Sequence, residues 1–235
     1  MNGGRDKDER LFWIIALTIV AISIGIALIV SAVRDKRSKV DEAREDGIRY
    51  AIVSMTGDQA FGDRLEIERQ HSDGRWQRVY ENDFKDLKPW KIEIGDIDGD
   101  DRKELLIAVN KPTHFDAEHR NRMFIFNFEG GKLVKKWTGS QLAGDWRTFR
   151  VGDLLPIPGD ELIFIERLEG NKERIGVYYW LDFGFVRVAD SEPYDPIESI
   201  DIAGGNRMDI RMKRSGEPRT LTVEAGKVVE TDDKL

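Results

Sequence analysis

Nine residues, Asp96-Ile97-Asp98-Gly99-Asp100-Asp101-Arg102-Lys103-Glu104, run straight into Leu105-Leu106-Ile107-Ala108-Val109, and no other stretch constrains the fold of this chain as much. Carboxylates at positions 1, 3, 5 and 9 of so short a loop set like charges side by side, a cost that a cation relieves. Hard oxygen ligands suit Ca²⁺, which takes about six to eight of them. An EF-hand would place glycine at position 6 and glutamate at position 12; those places hold Asp101 and Ile107, and the flanks read as strands. The junction therefore predicts an acidic turn between two β-strands.

From Ile48 onward the chain is made of short β-rich runs punctuated by Gly, Asp and Pro, and no stretch keeps a helical apolar period for three turns. The predicted class is all-β. Self-comparison finds two interleaved repeats. Hairpin turns recur around Gly74, Gly131, Gly184 and Gly226, at separations of 57, 53 and 42 residues. An Asp followed eight residues later by an acid and an apolar residue recurs at Asp96/Glu104-Leu105, Asp153/Glu161-Leu162 and Asp201/Asp209-Ile210. Each unit then reads as four antiparallel strands. The best formed comprises Trp90–Ile97, Leu105–Val109, Arg122–Phe128 and Lys132–Trp137, and the next Thr148–Leu155, Leu162–Glu166, Arg174–Leu181 and Phe185–Ala189. The last covers Ile197–Ile202, Met208–Lys213, Arg219–Val223 and Lys227–Thr231. Tyr50–Met55, Arg64–Gln70 and Trp76–Tyr80 supply three strands of a first unit whose opening strand is not evident. Radial repetition of four-stranded sheets marks a β-propeller.

Upstream the composition changes. Leu11 to Val33 is 23 residues without a charge, against about 20 needed to cross a bilayer, and predicts one N-terminal transmembrane helix after a tail of residues 1–10. A cleaved signal peptide is the rival, although its apolar core would normally span about 7–15 residues. Residues 34–47 are charged and read as a linker, leaving 48–235 as the folded domain. Arg5, Lys7 and Arg10 precede the span, whereas Arg34, Lys36, Arg37, Lys39 and Arg44 follow it, which by the positive-inside rule places the domain in the cytoplasm. A Ca²⁺ loop without a helical scaffold better suits millimolar external calcium, and the balance favours a cell-membrane protein with its domain outside. The absence of Cys decides neither side.

The residues Ile94-Gly95-Asp96-Ile97-Asp98-Gly99-Asp100, then Glu104-Leu105, resemble the FG-GAP (VCBS-type) repeat of integrin α-subunit propellers and bacterial surface proteins. The Arg150-Val151-Gly152-Asp153 unit with Asp160-Glu161-Leu162 matches more loosely, and Ile200-Asp201 to Asp209-Ile210 more loosely still. The resemblance implies a small β-propeller of about four blades, fewer than the usual seven or so, either closed on itself or completed by another chain. It implies a structural Ca²⁺ held by the side chains of Asp96, Asp98, Asp100 and Glu104 and the backbone carbonyl of Arg102. In the second repeat the corresponding positions hold Leu155 and Ile157, and in the third Ala203 and Gly205, so neither is expected to bind metal.

In such a scaffold the connections 110–121, 141–147 and 191–196 would share one face and offer His114, Phe115, Trp146, Arg147 and Tyr194 to a partner. His114, Asp116, Glu118 and His119 fit no standard metal spacing. The net charge of −7 and the lack of a basic stripe argue against nucleic acid. No Gly-x-Ser-x-Gly elbow, Walker loop or His-Glu-x-x-His is present, and without Cys there is no thiol nucleophile. The expectation is a non-catalytic binding or scaffolding module for an envelope protein or a glycan. The alternatives are a polysaccharide-acting enzyme or carbohydrate-binding accessory, and a membrane-tethered docking platform facing the cytoplasm.

Overall fold

A computed structural model describes residues 13, 17–24, 36–139 and 142–231. Beyond the helical residues 13 and 17–24, they form four antiparallel four-stranded meanders in chain order. The first holds β1 (Ser38–Glu45), β2 (Ile48–Ser54), β3 (Arg64–Gln70) and β4 (Trp76–Asp83); the second holds β5 (Pro89–Gly95), β6 (Glu104–Lys111), β7 (Arg120–Glu129) and β8 (Lys132–Thr138). The third comprises β9 (Trp146–Gly152), β10 (Glu161–Leu168), β11 (Lys172–Leu181) and β12 (Gly184–Ser191). The fourth comprises β13 (Ile197–Ile202), β14 (Arg207–Met212), β15 (Pro218–Glu224) and β16 (Lys227–Glu230). A short parallel pairing of β12 with β16, Asp190 to Lys227 and Ser191 to Val228, joins the last two meanders into one eight-stranded sheet.

Burial explains why the second strand of each middle meander is apolar without alternation. Glu104–Val109 of β6 and Glu161–Glu166 of β10 are buried at every position, because a neighbouring sheet covers each face. Ile52, Leu65 and Ile67 of the first sheet meet Ile92, Leu105, Ile107 and Val109 of the second. On the reverse face of β6, Leu106 and Ala108 join Phe149, Phe164 and Trp180 of the third. Ile163, Ile165 and Val177 then pack on Ile200, Met208, Ile210 and Leu221 of the fourth. Each fully buried Leu, Ile or Val contributes about 1.5–3 kcal/mol, so three such cores stabilise the stack far more than any hairpin alone. The innermost strands β1, β5, β9 and β13 follow one another side by side.

Among the described residues no apolar core joins the fourth sheet back to the first. The outward face of the first is instead an ion-pair lattice: Arg37 and Arg78 approach Glu66, Arg49 pairs with Glu68, and Arg64 and Arg78 with Glu81. The Arg49 guanidinium lies 4.6 Å over the Trp76 ring.

Two sequence expectations change. Residues 38–45 are not linker but β1, the missing opening strand. Asp46 (φ 47°) and Gly47 (φ 71°) turn it into β2, the positive φ pair that an Asp-Gly hairpin favours. Lys39 and Arg44 are exposed, while Val40 and Ala43 pack on the first core and the Asp41 carboxylate accepts the Ile92 backbone N–H at 2.9 Å. The single-pass membrane anchor is also corrected: no helix among the described residues is long and apolar enough to cross a membrane. Residues 13 and 17–24 of the expected span are helical, and 11–12, 14–16 and 25–33 lie outside the described residues.

Candidate functional site

The acidic loop links β5 to β6. Asp96 organises it from within: its Oδ1 accepts the backbone N–H groups of Gly99 at 2.8 Å and Asp100 at 3.1 Å, and its Oδ2 that of Asp101 at 2.8 Å. Gly99 (φ 70°) is needed on two counts, since a Cβ there would also come within 2.7 Å of Pro158 in the matching loop of the third sheet. The two loops are tied by Asp160 N–H to Asp96 O at 2.6 Å and by Asp96 N–H to the Asp160 carboxylate at 2.9 Å.

Ligand atoms of Asp96, Asp98 and Glu104 lie within 4.8 Å of one another, so the structure brings together three of the five expected metal ligands. The other two face each other: Arg102 donates to the Asp100 carboxylate from Nη2 at 2.6 Å and from its backbone N–H at 3.0 Å, and its Nη1 reaches Glu129 at 3.0 Å. Glu104 is fully buried. Its Oε2 accepts the Ile97 N–H at 3.0 Å; its Oε1 accepts Lys136 Nζ at 2.8 Å and Asn127 Nδ2 at 3.3 Å. The same Lys136 ammonium donates to Asp98. Burial pushes the Glu104 carboxyl up. Burial works against the Lys136 ammonium too, but the hydrogen bonds it donates to Asp98 and Glu104 hold its pKa above the usual lysine value. Ca²⁺ needs about six to eight oxygens. With Asp100 turned to Arg102 and a cation already between Asp98 and Glu104, the residues as arranged do not fit that ion.

Glu161 repeats the position of Glu104 in the third sheet, accepting the N–H groups of Leu154 at 2.8 Å and Leu155 at 3.1 Å on Oε2. Among the described residues no lysine reaches it. Its Oε1 is buried without a partner among the described residues, and burial, with Asp153 and Asp160 nearby, pushes its pKa up to about 7. Sequence reasoning missed Lys136, although a signal existed: it falls 57 residues after Val79 and 52 before Val188, apolar residues at the same place in the neighbouring repeats.

The five residues expected on a partner face are dispersed. Phe115 is 95% exposed, with His114 edge-to-face at 4.9 Å, and borders a cavity of about 450 Å³ with Lys111, Thr113, Asp116 and Arg122. Trp146 is a core residue, 2% exposed and packed on Trp90, Phe149 and Phe164. The reason is a β-bulge: Thr148 pairs with Ile165 and Trp146 with Glu166, so Arg147 is the extra residue and Trp146 turns inward. Arg147 donates from Nε and Nη2 to the two Glu173 oxygens at 2.7 and 3.1 Å, holding that carboxyl below its usual range despite its burial. Tyr194 exchanges backbone hydrogen bonds with Glu173 and lies 5.6 Å beneath the Arg219 guanidinium. Arg147 alone of the five borders a second cavity, of about 510 Å³, with Trp90, His119, Arg120, Asp145 and Arg167. Asn110 and Asn121 also line it, fixed to one another at 3.0 Å, and Asn121 is tied to the Trp146 carbonyl at 2.8 Å.

Neither a family model nor a curated protein matches the sequence. Solved structures resemble the fold. A candidate 6-phosphogluconolactonase from Bacteroides uniformis superposes with a TM-score of 0.53 at 14% identity, over 83% of this chain and 54% of that one. An exo-β-1,3-galactanase from Phanerochaete chrysosporium, solved with β-1,3-galactotriose, gives 0.51 at 9% identity, over 82% and 49%. This chain thus spans about half the length of the solved chains it matches. At these identities the likeness is one of fold alone, an all-β, propeller-like architecture.

Proposed function

We propose that the chain is a four-bladed, propeller-like arc of FG-GAP type that serves as a non-catalytic binding module for a protein or a glycan. The observation that supports this reading is the second cavity. Trp90, the Asn110–Asn121 pair, Arg120, Arg147 and Arg167 come to it from the second and third sheets and present an aromatic face beside amide and guanidinium donors. Such a mixture of a planar apolar wall and fixed donors suits recognition. The charged groups there are held by structural partners, Arg120 by Asp116 and Arg147 by Glu173, an arrangement for positioning rather than for moving protons. A polysaccharide-acting enzyme is the second reading, favoured by the galactanase-like and lactonase-like architecture.

The test uses Arg167→Ala, because Arg167 is exposed and pairs only loosely with Asp145 at 3.4 Å. The purified chain is passed over glycan arrays and over its cell's protein extract, and each captured ligand is titrated against both forms. A loss of about tenfold or more in affinity, at unchanged thermal midpoint, supports the cavity as the binding site. Equal affinity moves the site elsewhere. Turnover of a polysaccharide or ester that disappears in Arg167→Ala establishes the enzyme reading instead.

A further inference from the structure

The acidic loop is independent of that cavity and carries a reading of its own. In three of the four sheets the last strand has a β-bulge at the same place. Ile67 pairs with Tyr80 and Glu68 with Arg78, Ile125 with Trp137 and Phe126 with Lys135, and Val177 with Ala189 and Tyr178 with Arg187. The extra residues are Val79, Lys136 and Val188. Val79 and Val188 pack against the core between their own sheet and the next. Lys136 departs from this pattern: its ammonium meets Glu104 and Asp98 at the base of the one loop that is rich in carboxylates. Where valine occupies the bulge, in the third sheet, the matching Glu161 keeps a buried oxygen without a partner. Lysine thus appears at the repeat whose acid shares ligand distance with two other carboxylates, Asp96 and Asp98.

We infer that the Lys136 ammonium is the resident cation of this loop, standing where a divalent ion would otherwise hold Asp98 and Glu104 together, and that a divalent-cation site lies latent beneath it. Two carboxylates this close, one of them fully buried, repel unless a positive charge lies between them. A tethered ammonium supplies that charge at no cost in ion concentration, and its fixed place on the bulge leaves Ca²⁺ a shell of too few free oxygens. The wild-type loop is therefore independent of calcium. Removing the ammonium while keeping the side-chain volume returns the site to the arrangement that a divalent ion can fill.

The experiment compares thermal midpoints of the full chain and Lys136→Met, each in chelator and in about 5 mM calcium, above the dissociation constants of weak external sites. The wild type is expected to melt alike in both. Lys136→Met is expected to lose roughly 6–20 °C in chelator, the scale for breaking a buried pair in a domain this size, and to regain at least half of it in calcium. Should Lys136→Met fail to fold in chelator, Glu104→Gln/Lys136→Met, which removes the buried charge together with its partner, is expected to fold there and to ignore calcium. Four outcomes overturn the inference: a wild type stabilised by calcium, a Lys136→Met as stable as wild type in chelator, a Lys136→Met whose loss calcium leaves unchanged, or a double variant that does not fold.

Discussion

Glu161 accepts the backbone N–H of Leu154 at 2.8 Å, the same contact that Glu104 makes to Ile97 at 3.0 Å one repeat earlier, yet only Glu104 has a lysine to balance its charge. Glu161 must find neutrality another way, and its pKa, pushed up to about 7 by burial, says that it does so by keeping its proton. The folded protein thus binds a proton between the ordinary carboxylate value of 4.5 and about 7 that the unfolded chain releases. The stabilisation is complete below the lower value and lost as pH rises through the upper one. Glu161→Gln keeps an acceptor for Leu154 and cannot ionise. It is expected to match wild type at pH 4 and to exceed it by up to about 3 kcal/mol at pH 8, seen as a midpoint higher by roughly 6–12 °C. Denaturant titrations of both proteins at the two pH values check this; parallel losses with rising pH would assign the dependence to other groups.

Most of the architecture was legible because sheets covered on both sides leave long marks. β6 and β10 read as strands from their uninterrupted apolar runs, and the glycine of each outer hairpin set the repeat. The opening strand was hidden by its chemistry. Ser38–Glu45 carries Lys39, Asp41, Glu42, Arg44 and Glu45, and only Val40 and Ala43 enter a core, so composition says linker while the Asp46-Gly47 turn says hairpin. At the site, Asp96, Asp98 and Glu104 converge as their spacing implies, since an eight-residue loop between the paired Gly95 and Glu104 leaves them little choice. Lys136 was marked only by its place in the repeat, because it arrives from two strands away and the strand pairing alone brings β8 beside that loop. Trp146 misled for a related reason: a bulge at Arg147 reverses which of the two neighbours faces water.

A chain cut at the boundary that composition suggests tests the role of β1. Beginning at Ile48 removes the strand that pairs along the whole of β2 and lies beside β5. It exposes a run of buried residues, Tyr50 to Ser54, on a new open edge. That protein is expected to aggregate or to show no cooperative transition, whereas a chain beginning at 36 melts as the parent does. Gel filtration and near-ultraviolet circular dichroism distinguish the two.

Trp146 offers a contrast between packing and binding. It touches Trp90, Phe149 and Phe164 at ring-centroid distances of 5.7, 6.0 and 4.8 Å and fills the core between the second and third sheets. Truncation to alanine is expected to cost about 3–5 kcal/mol, measured as a lower denaturant midpoint at constant slope. A surface role would leave stability within about 0.5 kcal/mol.

Gly144 closes over a buried carboxylate. Glu166 is 1% exposed and is held by the Tyr178 hydroxyl, by Arg174 Nε at 2.8 Å and by Arg187 at 3.4 Å. A Cβ on Gly144 would lie 2.3 Å from both Cδ and Oε1 of Glu166, and one on Gly176 would lie 2.8 Å from the same oxygen. The carboxylate cannot retreat without abandoning at least one of its donors, and a buried charge short of partners is costly. Gly144→Ala is therefore expected to destabilise the protein by about 2–4 kcal/mol. Adding Glu166→Ala would free the space that the new methyl needs but strand Arg174 and the Tyr178 hydroxyl. The two changes together should then cost less than the sum of their separate effects. A double-mutant cycle in urea measures that difference, and strict additivity would show that Gly144 is not held small by the carboxylate beneath it.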